Sequence, residues 1–156
     1  MREMTSNQIL SQLSELPVTA VVPAIQVSLA EGRDVLLQAE PGAGKTTVVP
    51  LTLLDASWLD ARRIIMLEPR RIAARSAAER MASLLGERAG QTIGYRMRLD
   101  TKVSNQTQVE IVTEGVFTRM VQSDPSLSDV ALVIFDEFHE RHLDSDLGLT
   151  LALMGR

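Results

Sequence analysis

The chain predicts an α/β fold in which helices flank a mostly parallel sheet, and three observations carry that prediction. Short apolar runs of strand length alternate with longer segments of helical period. The first such run, Val35-Leu36-Leu37, leads into a loop of small residues, Ala39-Glu40-Pro41-Gly42-Ala43-Gly44-Lys45-Thr46-Thr47. A later run over 130–135 is almost wholly apolar, as a parallel strand covered on both faces must be, and it ends directly in Asp136-Glu137.

The elements follow in order. Segments 7–15 and 18–30 have helical spacing on either side of Pro17, with Pro23 an awkward interruption of the second. A strand over 35–39 precedes the small-residue loop, and a helix over 45–55 follows it. Residues 64–67 form a buried strand that Glu68-Pro69 stops. The helix over 71–85 is alanine-rich, with Ile72, Ala73, Ser76, Ala77, Met81, Leu84 and Leu85 at helical spacing, and Gly86 and Gly90 end it. Strands are predicted over 92–99 and 109–113, a short helix over 115–122, the carboxylate strand over 130–135, and a final amphipathic helix over 143–154. The 156 residues suit one domain, with N-terminal helices over 1–31 and the core over 32–156.

Composition narrows the class. Hydrophobic residues make up 45%, yet no stretch approaches the roughly 18–20 uninterrupted apolar residues of a membrane span. Residues 1–16 are polar and mixed, unlike a signal peptide. With no cysteine, disulfides and thiolate metal sites are excluded, which fits a cytoplasmic protein. A net charge of −4 argues against simple non-specific binding to nucleic acid. Its distribution says more: Lys45 and Lys102 are the only lysines, while Arg62, Arg63, Arg70, Arg71, Arg75 and Arg80 crowd one segment and Arg96 and Arg98 follow. The guanidinium fork suits phosphate. Arg75 and Arg80 suit a solvated helix face paired with Glu79 and Glu87 equally well.

The two motifs describe one piece of chemistry. Small residues after a strand let backbone N–H groups converge on phosphate oxygens, and the next helix aims its positive end at them. Gly42, Ala43, Gly44, Lys45, Thr46 and Thr47 would cradle ATP or another nucleoside triphosphate, with Lys45 on the β- and γ-phosphates and the Thr46 hydroxyl on Mg²⁺. Ala39 stands where this loop usually has its first glycine, and it fits if the position keeps a strand-like φ. Asp136 would orient Mg²⁺ through its water shell, and Glu137 would polarise the attacking water. Both lie at the carboxyl end of their strand, where open α/β sheets bind ligands.

With these motifs placed, the segments between them resemble superfamily 2 helicases of the DEAH/RHA group, and within it the bacterial HrpB type. Leu67-Glu68-Pro69-Arg70-Arg71-Ile72-Ala73-Ala74 resembles motif Ia, and Gly94-Tyr95-Arg96-Met97-Arg98 the Gly-Tyr-x-x-Arg stretch. Val112-Thr113-Glu114-Gly115-Val116 resembles motif Ib, with Arg119 behind it, and Asp136-Glu137-Phe138-His139-Glu140-Arg141 resembles motif II. The likeness covers nearly everything from Leu16 onward. It implies a RecA-like lobe of a helicase that couples hydrolysis to translocation on a single strand, RNA more than DNA. Pro69, Arg70, Arg71, Arg98, Thr113, Glu114, Gly115 and Arg119 would then touch nucleic acid. Glu137, Lys45 and His139 would be catalytic, His139 linking nucleotide state to the rest of the machine.

The resemblance also sets expectations about what the 156 residues omit. The family's Ser-Ala-Thr strand, which sits between the loop strand and the carboxylate strand, does not occur in them, nor does the second RecA-like lobe with its arginine fingers. The expected lobe therefore lacks its last strands, binds nucleotide and scarcely hydrolyses it. Its central gap is expected to be met by altered pairing, by a second copy or swapped segment, or by further chain. Two other readings stay open. A different P-loop NTPase is one, although a GTPase would bring Asn-Lys-x-Asp and neither Asn7 nor Asn105 precedes lysine. The other is a non-catalytic nucleic-acid-binding module. Trp58 and Tyr95 could stack on bases or simply pack.

Overall fold

The computed structural model describes residues 5–38, 44–136 and 149–153, apart from the side chains of Ser6 and of 149–153. Thr5 opens helix α1 (Ser6–Gln12) with a reciprocal cap: its hydroxyl accepts from the Gln8 N–H, and the Gln8 side chain accepts from the Thr5 N–H at 2.7 Å. The predicted helix over 18–30 divides in two. A 3₁₀ turn, Pro17–Val21, precedes α2 (Val22–Ala30), and Pro23 falls in the first turn of α2, where a missing N–H leaves no helical bond unmade.

Strand β1 (Val35–Leu37) is shorter than the predicted 35–39, and α3 (Lys45–Thr52) ends before 55. After a 3₁₀ turn at Ser57–Leu59 come β2 (Arg63–Leu67), α4 (Arg71–Leu84) and β3 (Ile93–Met97). The expected strand over 92–99 is in fact half of a hairpin: the chain turns at Arg98-Leu99 into β4 (Asp100–Lys102), with Met97 opposite Asp100. β5 (Val109–Val112), α5 (Glu114–Ser123), β6 (Val130–Asp136) and β7 (Leu149–Leu153) complete the chain.

The sheet order is β1-β7-β6-β2-β5-β3-β4. β6, β2, β5 and β3 are mutually parallel, and β4 is antiparallel to β3. β7 corrects the prediction of a helix over 143–154: residues 149–153 are a strand, antiparallel to both neighbours, and the remainder of that span lies outside the described residues. The reason is the central gap. A slot between two strands offers two rows of backbone donors and acceptors, and a strand there satisfies its own backbone on both sides. Of the three expected solutions the described residues show altered pairing, with β7 between β1 and β6.

Alternation along β2 separates two apolar layers. Ile64 and Met66 join the core under α1–α4, with Val48, Leu51, Ala78 and Met81, whereas Ile65 faces α5 with Val112, Val116, Val130 and Val133. α4 turns Ala74, Ala78, Met81 and Ala82 inward and leaves Ile72 84% exposed, so Ile72 is not in the core as its spacing had suggested.

Candidate functional site

One edge of the sheet collects the chemistry. β1 and β6 are both antiparallel to β7, so they run parallel to each other, and Leu149 is the register partner of both Leu37 and Asp136. The end of the loop strand is therefore level with the motif II aspartate, two strand spacings or about 9.5 Å away. β2, β5 and β3 finish on the same edge.

Gly44 and the first turn of α3 stand between the two strand ends. Gly44 caps α3 at φ 91°, a conformation that costs an L-residue about 1–2 kcal/mol, and a Cβ there would sit 2.8 Å from Leu16 Cδ1. Smallness alone was the sequence argument for this glycine; the structure adds left-handed φ and close approach. Lys45 is the first residue of α3 and only 9% exposed. One residue on, the Thr46 hydroxyl donates to Asp136 Oδ2 at 3.1 Å across 90 positions of sequence. Asp136 is itself 4% exposed. Thr47 is half-buried in the same first turn. Gly42, Ala43, Glu137 and His139 lie outside the described residues.

These oxygens suit a hard cation. A hydroxyl and a carboxylate are the ligand types Mg²⁺ takes. Thr46 and Asp136, 3.1 Å apart, would hold such an ion between them, Asp136 in part through its water shell. The amino end of α3 adds a positive field for phosphate beside them.

Further along the edge stand the residues of the expected nucleic-acid track. The N–H of Glu68 donates to Val112 O at 2.9 Å, which ties the end of β2 to the end of β5. Glu68 is buried; its Oε1 accepts from the Arg70 N–H at 3.5 Å and lies 3.9 Å from Arg70 Nε. Pro69 is half-buried, and Arg70 and Arg71 are exposed. Arg71 Nη2 donates to the Arg98 carbonyl at 3.2 Å, joining α4 to the β3–β4 turn. Thr113 caps α5, with Glu114 and Gly115 exposed in its first turn and Arg119 exposed one turn later. Pro69, Arg70, Arg71, Arg98, Thr113, Glu114 and Gly115 thus all follow parallel strands onto one edge.

Other arginines are committed elsewhere. Glu110, 1% exposed, receives Arg96 Nε at 2.7 Å and also pairs with Arg63, whose second terminal nitrogen reaches Asp129 at 2.7 Å. This network spans β3, β5, β2 and the entry to β6. The sequence signal that could have found it is a lone glutamate inside the apolar strand Val109-Glu110-Ile111-Val112. Arg75 pairs with Glu79 at 3.0 Å as helical spacing predicts, and also approaches Asp100. Glu87 instead accepts from the backbone and hydroxyl of Thr92. Tyr95 packs in the core with its hydroxyl donating to Asp100 at 3.2 Å, and burial, reinforced by that bond, pushes its pKa up. Trp58 packs partly buried against the main core. Tyr95, fully buried, is not available to stack on a base.

Residues 19–153 match the DEAD/DEAH box helicase family. The chain belongs to that family. Escherichia coli ATP-dependent RNA helicase HrpB is 54% identical over 141 residues, covering 90% of this chain and 17% of that protein. The ATP-dependent RNA helicase HrpA homolog of Haemophilus influenzae is 36% identical over 143 residues, covering 90% and 11%. The crystal structure of the E. coli DEAH/RHA helicase HrpB superposes with a TM-score of 0.77 at 54% identity, over 81% of this chain and 16% of that one. The mostly parallel sheet with flanking helices is the RecA-like fold of those structures. The chain spans less than a fifth of the length of these relatives. Among the described residues, no helix of this family member is long and apolar enough to cross a membrane.

Proposed function

We propose that this chain, over 1–156, is the nucleotide-binding lobe of an ATP-dependent helicase that works on single-stranded nucleic acid, RNA rather than DNA, in the cytoplasm. The observation that carries the proposal is the Thr46–Asp136 contact, which joins the phosphate loop to the carboxylate strand at a buried point. Gly42, Ala43, Gly44, Lys45, Thr46 and Thr47 hold the triphosphate, and Thr46 and Asp136 hold Mg²⁺, Asp136 in part through water. The ion neutralises charge on the β- and γ-phosphates when bound. Lys45 adds a second cation to the same oxygens, and the α3 amino end a fixed dipole. Glu137, next in sequence to Asp136, takes the proton of the attacking water, and His139 relays the state of the site.

The track follows from the same edge. Pro69, Arg70, Arg71, Arg98, Thr113, Glu114, Gly115 and Arg119 grip successive phosphates, contacts that carry no base information and suit a motor that moves along a strand. A second RecA-like lobe supplies arginine fingers, so this lobe alone binds nucleotide with near-zero turnover. The relatives named as RNA helicases support RNA as the strand.

The test is titration of a fluorescent ATP analogue with Mg²⁺ into the wild-type chain and Lys45→Ala, alongside oligo-uridine and its deoxy counterpart. Saturable nucleotide binding lost in Lys45→Ala, with tighter binding of the RNA strand, is expected. Binding that ignores Lys45 would refute the nucleotide site and favour a non-catalytic nucleic-acid module.

A further inference from the structure

A groove of about 880 Å³ runs between α5 and the β3–β4 hairpin. Val116, Arg119 and Met120 line it from one face of α5, and Met97, Arg98 and Leu99 from the hairpin. Its floor is the Arg63–Glu110–Arg96 network.

Charge is sorted along its depth. Among the described residues, no carboxylate lies within 4.0 Å of the guanidinium of Arg98 or Arg119, and both are exposed. The floor is locally neutral, because Arg63 and Arg96 are balanced by Glu110 and Asp129; a third carboxylate on the lining, Asp124, is held by Ser126 and Ser128, so the four lining arginines still outnumber the three acids. A phosphate gains from the two uncommitted arginines and gains little deeper, where it would face Glu110. The wall is apolar through Met97, Val116 and Met120. Arg96 spends only Nε on Glu110, so its two terminal nitrogens keep donors for an uncharged acceptor. Leu99 completes the picture: it is 95% exposed and held at φ 67°, a placement strained for a leucine and costly in exposed apolar surface.

We infer that this groove receives a nucleobase turned out of the bound strand, its flanking phosphates on Arg98 and Arg119 and its carbonyl edge toward Arg96. The inference rests on the proposed nucleic-acid track, with which the groove is continuous: the Arg98 turn is hydrogen-bonded to Arg71. Single-stranded RNA is read by splaying bases into such recesses. The site adds a base-dependent term to contacts that otherwise hold only phosphate.

The experiment compares two labelled octanucleotides on the wild-type chain at one salt concentration: oligo-uridine, and an abasic strand with the same sugars and phosphates. Wild type should prefer oligo-uridine by about fivefold or more, in keeping with the energy of one accommodated base. A variant carrying Thr101→Leu and Ser123→Leu, two exposed positions on the groove wall, should lose that preference while binding the abasic strand as before. Arg98→Ala should weaken both strands alike and reduce the salt slope by about one. Equal wild-type affinity for both strands overturns the base site and leaves the phosphate track standing. Retained preference in the filled variant overturns the location of the base site. If neither strand binds, the track and the base site fall together. Should the filled variant not fold, the wild-type comparison alone decides.

Discussion

Thr46→Val removes one hydroxyl and keeps the branched shape, so it isolates the contact on which the nucleotide site depends. The lost bond is a hydroxyl donating to a buried carboxylate at 3.1 Å. Hydrogen bonds to charged groups contribute about 1.5–3 kcal/mol. Asp136 makes further interactions, so it is not left bare, and the lower end of that range, about 1.5 kcal/mol, applies. The assay is urea unfolding of wild type, Thr46→Val, Asp136→Ala and the double variant, without Mg²⁺. Because the side chains touch, the double variant should lose about 1–1.5 kcal/mol less than the sum of the singles. Additivity within about 0.5 kcal/mol would show that the two motifs do not meet. The same substitution probes the ion. With Mg²⁺ present, Thr46→Val should weaken binding of an ATP analogue by about tenfold or more, and in chelator it should change little. Equal losses in both conditions would show that Thr46 is no metal ligand.

Four further outcomes follow from burial and charge. Glu110→Ala strips two arginines of a shared partner; breaking a buried pair costs about 3–5 kcal/mol, and partial exposure of both guanidiniums plus the surviving Arg63–Asp129 bond place this one near 3 kcal/mol by urea unfolding. Glu79→Ala, which breaks an exposed pair, should leave the midpoint unmoved. Tyr95 is the only tyrosine, so tyrosinate absorbance reports it alone; with burial raising its pKa, ionisation should come above the ordinary tyrosine range, and stability present below that range should fall as pH rises through the raised value. Asp124 has the opposite sign. Hydrogen bonds from Ser126 and Ser128 hold its pKa down from 3.8 to about 2, so its contribution is intact above 3.8 and lost as pH falls toward 2, and Asp124→Asn should flatten acid unfolding across that window.

The parallel strands were legible because burial on both faces leaves apolar runs in the sequence, and the start of α3 because Gly44 serves a backbone conformation that glycine favours. Ionic partners were not legible. Arg63 finds Glu110 and Asp129 at 47 and 66 positions away, and Arg96 finds Glu110 at 14, separations that no local pattern reports. The arginines next to the track arginines proved to be sheet struts for that reason. The turn at Arg98-Leu99 was hidden because Leu99, at positive φ, is not a residue that announces a turn.

The misassigned segment over 149–153 teaches most about how the site is built. Leu149-Thr150-Leu151-Ala152-Leu153 fits a helical stripe, yet the same letters also alternate with period two, so periodicity could not decide. The slot decided. A strand between β1 and β6 keeps them two spacings apart and, through Leu149, level at Leu37 and Asp136. Direct pairing of β1 with β6 would halve that spacing. An empty slot would let the two edges drift. The reach of Thr46 to Asp136 is therefore a property of three strands, and its sequence signature is spread over residues too far apart to be read from any one of them.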